Sequence, residues 1–188
     1  YSYFIEPYWI EIKKIDIFSN KLINTGLKVI LISDLHCDER MRNEEKLVRI
    51  INNMSPDIIL FAGDSLNTER ALPLFKKTMK MLKPKLGKYA VRGNFDVWYW
   101  NNLDLFTGTR MTVLDNNNIR LEKNGEEIYI SGLSYEKYDR IHISLADVPK
   151  DKLSIFLFHS PDLIEEAKGH NIDLYLCGHT HGGQVALP

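Results

Sequence analysis

Only two cysteines, Cys37 and Cys177, occur among the 188 residues, too few for a disulfide framework. Each lies within a histidine-bearing motif described below, so no bridge between them is expected. No run of apolar residues approaches the roughly 18 needed to cross a bilayer, and no secretory leader is visible. Net charge is nearly absent. The 24 basic and 25 acidic side chains leave −1, which provides no basic field for holding nucleic acid non-specifically. Repeats, low-complexity tracts and linkers are also missing. What remains is 44% hydrophobic and 26% charged, a balance that excludes disorder. At this length a single domain over 1–188 is expected. The chain starts at Tyr1 rather than Met, so it reads as a piece of a longer protein whose upstream part could carry an anchoring or targeting segment.

The apolar pattern alternates between strand and helix periods. Trp9 to Phe18 places Ile10, Ile12, Ile15 and Ile17 around Lys13 and Lys14, the pattern of a half-buried strand with a kink or bulge. The aromatic cluster Tyr1, Tyr3, Phe4, Tyr8 and Trp9 reads as an edge strand on the core, with a lipid interface as the alternative. Apolar runs at Leu27–Ser33, Asp57–Ala62, Lys88–Arg92, Leu153–Phe158 and Ile172–Cys177 predict buried strands. Between them, Glu44–Met54 sets Leu47, Ile50, Ile51 and Met54 on one helical stripe. Arg70–Leu82, Val97–Phe106 and Pro161–Lys168 also read as helices, with Pro73 tolerated in a first turn. Thr112–Tyr129 reads as strands around a hairpin turning at Asn124-Gly125. The alternation predicts an α/β domain with mixed sheets.

Each of five predicted strands is followed directly by metal-competent side chains: Asp34-Leu35-His36, Gly63-Asp64, Gly93-Asn94, His159, and Gly178-His179-Thr180-His181. Ligand sites in open α/β sheets gather at the carboxyl ends of strands. Residues two apart on an extended segment face the same way, so Asp34 with His36, and His179 with His181, are expected to project together. Singly these motifs are ordinary, since Gly-Asp is more often a turn. Delivered together by five strands they form a constellation, and two histidines between glycines serve little structural purpose. His142 and His170 fall outside it and are expected on the surface.

In this order the segments resemble the calcineurin-like metallophosphoesterase superfamily, whose pattern is D-x-H, G-D, G-N-H-D/E, H and G-H-x-H. The likeness runs from about Leu27 to Gln184. The ending Gly178-His179-Thr180-His181-Gly182-Gly183-Gln184 is similar to a bacterial branch that often carries a membrane or export segment, and to UDP-2,3-diacylglucosamine hydrolases. The resemblance implies a four-layer α/β/β/α sandwich of two mixed β-sheets flanked by helices, and further strands beyond Pro188. It implies one divalent ion on Asp34, His36, Asp64 and His181 and a second on Asp64, Asn94, His159 and His179, with Asp64 shared. Mn²⁺ is the first expectation, with Fe or Zn²⁺ as alternatives. Mixed imidazole and carboxylate ligation suits these metals better than Ca²⁺. Asp64, Asn94 and Asp96 are the expected catalytic residues, Asp96 by orienting a histidine or a loop amide. Only Asp34 and Asp64 are anionic. Two divalent ions with a metal-bridging hydroxide would therefore leave the site about one unit positive, suited to an anionic phosphoryl group.

One position departs from the pattern. Gly93-Asn94-Phe95-Asp96 carries phenylalanine where the family has a histidine beside the substrate. Phenylalanine cannot give up a proton, and losing a general acid costs about 10²–10⁴-fold with a poor leaving group. The expected activity is therefore metal-dependent hydrolysis of P–O bonds, with a phosphorylated small molecule or the pyrophosphate of a lipid-linked nucleotide sugar as substrate. Arg40, Arg42 or Arg92 are candidates to replace the lost positive charge. The alternatives are a general phosphomonoesterase or phosphodiesterase, or a weakly active metal-binding scaffold, against which the complete ligand set argues. Nucleic acid is not an expected partner, since basic and aromatic residues are not interleaved around the motifs. A membrane-associated or cytoplasmic location is expected, with any membrane contact made by a segment outside this chain.

Overall fold

The computed structural model describes residues 9–182. Four parallel strands, β1 (Val29–Ile32), β2 (Ile58–Phe61), β3 (Gly87–Ala90) and β4 (Thr112–Val113), form one sheet in that order. A second sheet is ordered β5 (Asn117–Lys123), β6 (Glu126–Gly132), β7 (Leu153–Leu157), β8 (Leu174–Leu176). Its first pair is antiparallel and the other two are parallel. Among the described residues only this second sheet is mixed, whereas the resemblance implies mixing in both.

Three apolar layers explain the stacking. Ile59 and Phe61 of β2 pack with Val48 and Ile51 of α1 (Glu44–Asn53) and Phe75 and Met79 of α2 (Leu72–Met81). The alternate residues Ile58 and Leu60 face Ile128, Ile130, Ile155 and Leu157 of the other sheet. Phe156 and Phe158 then meet Ile141 of α4 (Ile141–Ser144) and Ala167 of α5 (Ile164–Ala167). β2 is covered on both faces, which is why it reads as a continuous apolar run instead of an alternation. The result is an α/β/β/α sandwich. No helix among the described residues is long and apolar enough to cross a membrane.

Several boundaries differ from the sequence reading for local reasons. Asn124 and Gly125 make the hairpin turn with φ of +51° and +80°, both left-handed as a type I′ turn requires. Thr112 and Val113, however, pair with β3 in the first sheet, so the hairpin begins only at Asn117. The helix expected at 97–106 instead starts earlier and stops sooner, as α3 (Asn94–Trp98). Its third residue, Asp96, accepts the Gly93 amide and sets the start. A 3₁₀ turn, Glu69–Ala71, precedes α2 and places Pro73 in its first turn, where no amide donor is missed.

Trp9 to Phe18 forms no strand, and Phe18 is 96% exposed. Among the described residues the segment has no neighbouring strand, so its alternation has no surface to bury against. The cluster at Tyr1–Tyr8 lies outside the described residues. Residues 19–27 are fastened instead. Lys21 reaches Asp173 at 2.9 Å, Glu126 accepts the Ile23 and Asn24 amides, and Leu22 and Leu27 pack on the layer between the sheets.

Candidate metal centre

The carboxyl ends of the parallel strands lie along one edge of the sandwich, and the seven candidate ligands leave from them. Asp34 and His36 follow β1, Asp64 follows β2, Asn94 follows β3, His159 follows β7, and His179 and His181 follow β8. The local backbone is not extended as the spacing rule assumed. Asp34, His36, Asp64, His179 and His181 all have φ between +41° and +70°. Among the described residues they are five of nine non-glycine residues in that region, a conformation that costs free energy and concentrates where function demands it. Projection on one side therefore comes from paired left-handed residues, not from a pleat.

Close backbone approach requires glycine at two of these turns. Gly63 sits at φ +98°, and a side chain there would collide with the backbone nitrogen of Gly93. A side chain on Gly178 would meet the Ser33 hydroxyl and the Asp34 carboxylate. Because Gly178 is bare, the His179 amide can donate to the Asp34 carboxylate at 2.9 Å, tying the second sheet to the first.

Ligand atoms of Asp34, His36 and His181 lie within 4.8 Å of one another, as do those of Asp34, Asp64 and His159. Asp64 Oδ2 is 3.6 Å from His36 Nε2 and 3.4 Å from His159 Nε2, so this carboxylate faces both groups. Asp34 belongs to both triads as well, whereas the sequence pattern assigned it to one. The two groups differ in depth. Asp64, Asn94 and His159 are buried, while His36 is half-buried and His181 exposed. The His36 and His181 rings stack at 5.2 Å.

The donor chemistry fits divalent cations. His159 Nδ1 lies 2.7 Å from the Ala62 carbonyl; donating there leaves a lone pair on Nε2 of the neutral ring. That Nε2 faces Asn94 Oδ1 at 2.8 Å, His179 Nδ1 at 3.1 Å and Asp64 Oδ2 at 3.4 Å. One proton satisfies one such contact. A cation of the kind that imidazole, amide and carboxylate ligate satisfies all of them. Burial alone pushes the Asp64 carboxyl up, but the His159 ring, the Phe95 amide and His36 outweigh it and hold it below the ordinary carboxylate value. Burial likewise opposes charge on His159, and the Asp64 carboxylate reverses this, raising its pKa. Both shifts favour positive charge between these groups.

Asp96 takes a different part. Its carboxylate accepts the amides of Asp64 (2.9 Å), Ser65 (2.8 Å) and Gly93 (3.1 Å). Burial raises its pKa against those bonds. It holds the loops bearing Asp64 and Asn94 in register, so of the two roles expected for it, the loop amides are what it touches. We therefore class it as a positioning residue instead of a catalytic one. Phe95 donates its amide to Asp64 Oδ1 at 2.9 Å and turns its ring edge-on to His36 at 4.9 Å. Among the arginines considered as replacements for the missing histidine, Arg42 pairs with Asp38, Arg92 reaches Asn101 at 3.1 Å, and Arg40 is exposed. His142 lies exposed on α4, and His170 follows α5 with its amide on the Ala167 carbonyl. Both cysteines are free, and burial pushes the Cys37 thiol up to about 12, which makes it inert.

Sequence reasoning missed Tyr135 and the Ala62 carbonyl. Tyr135 lies just past the carboxyl end of β6, its ring 6.1 Å from His159 and 6.4 Å from His179. Its place after a parallel strand was the available signal. The Ala62 carbonyl, being backbone, left none. A cleft of about 580 Å³ opens beside Arg92, lined also by Asp104, Arg110, Asp115 and Glu136, and contains none of the seven ligands.

Several known proteins are similar to this chain. A metallophosphoesterase of Aquifex aeolicus is 30% identical over 191 residues, covering 95% of this chain and 72% of that protein. The metallophosphoesterase YkuE of Bacillus subtilis is 29% identical over 210 residues, covering all of this chain and 70% of its own length. The protein TT1561 of Thermus thermophilus shares the fold, with a TM-score of 0.57 at 18% identity over 81% of each chain. With the calcineurin-like phosphoesterase family matched over residues 27–183 and a strand-end cluster of carboxylate, amide and imidazole donors in that span, the chain belongs to this family of metal-dependent phosphoesterases.

Proposed function

We propose that this chain hydrolyses phosphoryl compounds whose leaving group departs without being protonated. Phosphoric anhydrides come first, including the pyrophosphate of a lipid-linked nucleotide sugar. The observation that carries this reading is Phe95, whose ring packs on His36 where a proton-donating side chain would serve a basic leaving group.

Asp34, His36, Asp64 and His181 would hold one divalent cation, and Asp64, Asn94, His159 and His179 the other. When bound, such a pair supplies Lewis acidity to the phosphoryl group and lowers the pKa of water. The protein's own share is orientation. The Ala62 carbonyl fixes the His159 tautomer, and the Phe95 and His179 amides steer the Asp64 and Asp34 carboxylates. Asp96 sets the spacing of the two loops.

The test is a series of aryl phosphodiesters of graded leaving-group pKa, assayed with metal-loaded protein. The expected result is a steep fall in kcat/KM as the leaving group becomes more basic. Phe95→His should flatten that slope, raising the rate on the most basic members by about 10²-fold or more. A shallow dependence in the natural protein, or no effect of Phe95→His on it, overturns the reading.

A further inference from the structure

The short helix α3 carries aromatic side chains to both flanks of the metal centre. On one flank Phe95 lies edge-on to His36 at 4.9 Å and touches Tyr99 at the same distance. On the other, the Trp98 indole stands perpendicular to Tyr135 at 5.9 Å, and the Tyr135 ring reaches the His159 and His179 rings. Phe158 backs Tyr135 with a parallel ring at 6.1 Å. Trp98 is nonetheless 61% exposed and Tyr99 is equally open.

We propose that Trp98 and Tyr135 form a stacking wall that selects substrates with an aromatic or heteroaromatic ring attached near the phosphoryl group. The proposal rests on the functional reading above for where that phosphoryl group sits. Three features choose a ring over an aliphatic chain. The wall consists of planar faces, each with few torsions to freeze. Tyr135 is held before any ligand arrives, because Phe158 and Trp98 brace it from two directions. Its members also carry polar edges, an indole N–H and a phenol hydroxyl, which suit a heteroaromatic ring better than a methylene chain. Stacking of a base on such a side chain commonly changes affinity about tenfold or more.

Calorimetric titration of the metal-loaded full chain with methyl-, phenyl- and octylphosphonate tests this without turnover. Phenylphosphonate should bind at least about tenfold more tightly than methylphosphonate, and more tightly than octylphosphonate. Trp98→Leu should collapse the phenyl-to-methyl ratio, and Trp98→Phe should restore part of it; since Trp98 is exposed, circular dichroism should show both variants folded. Equal affinities, tightest binding of the octyl compound, a ratio unmoved by Trp98→Leu, or no binding of any probe would overturn the proposal. Hydrolysis of bis(p-nitrophenyl) phosphate by the same preparation keeps the two readings apart. Turnover without ring selectivity sinks the wall alone, and ring-selective binding without turnover sinks the activity alone.

Discussion

Asp57 and Asp64 flank the same strand, β2, and are equally buried, at 3% and 2% exposure, yet they have opposite surroundings. At the amino end Asp57 meets Lys123 at 2.7 Å, Lys85 at 3.7 Å and the Lys28 amide at 2.8 Å. Burial pushes its pKa up, and the lysines with that amide bring it below the ordinary value. At the carboxyl end Asp64 meets two imidazoles and the Phe95 amide, on a residue with φ +58°. The amino-end carboxylate is neutralised by ammonium groups of the chain itself. Its counterpart is compensated by imidazoles that are themselves candidate metal ligands. One edge of the sandwich is built to persist and the other to bind, which is where strain and converging acceptors are expected.

The contrast can be broken experimentally. Asp64→Ala should lower kcat for an aryl phosphodiester by about 10³-fold with the circular dichroism spectrum unchanged. A near-normal rate would remove Asp64 from the chemistry. Asp57→Ala takes the buried acceptor from Lys123 and from the Lys28 amide, so it should reduce the unfolding free energy by about 2 kcal/mol in urea. Asp64→Asn in metal-free protein should move it by no more than about 1 kcal/mol, because asparagine tolerates the backbone at φ +58° and its amide oxygen can still accept from Phe95. Equal costs would erase the distinction between the two ends. A divalent cation at 100 times its Kd should stabilise the natural protein by about 2.7 kcal/mol. Thermal denaturation should find that gain retained in Asp57→Ala and largely lost in Asp64→Ala.

The smallest effect concerns acid. With a folded pKa below the unfolded value of about 3.9, Asp57 contributes stability above that pH and loses it as pH falls further. Urea titrations of metal-free protein should therefore show stability declining below about pH 4, and Asp57→Asn should flatten that part of the curve.

The layer order came only from the family resemblance, whereas the strand ends were legible in the sequence because buried parallel strands are continuous apolar runs and the ligand motifs interrupt them abruptly, as at Phe61-Ala62-Gly63-Asp64. Long-range pairing was not. Nothing local in Thr112-Val113 distinguishes a partner of β3 from the first arm of the following hairpin. The bounds of α3 were also hidden, the start because Asp96 is recruited by amides of a distant loop and the end because the aromatic residues after it keep a helical look. In the site, residue types were readable, but the left-handed backbone that aims Asp34 and His36 depends on tight turns against Asp64 and Gly63. The Trp9–Phe18 alternation misled because periodicity reports what a segment could pair with, and no such neighbour lies among the described residues.

The bonds from His159 to the Ala62 carbonyl and from the His179 amide to Asp34 both run from one sheet to the other. Neither sheet carries a full donor set, so cation affinity becomes a gauge of how the two slabs are registered. A loosening substitution deep between them, at Leu60 or Ile130 for instance, would blunt metal retention while each slab still kept its own hydrogen-bonded ladder, so the centre senses interlayer slippage well before the chain unravels.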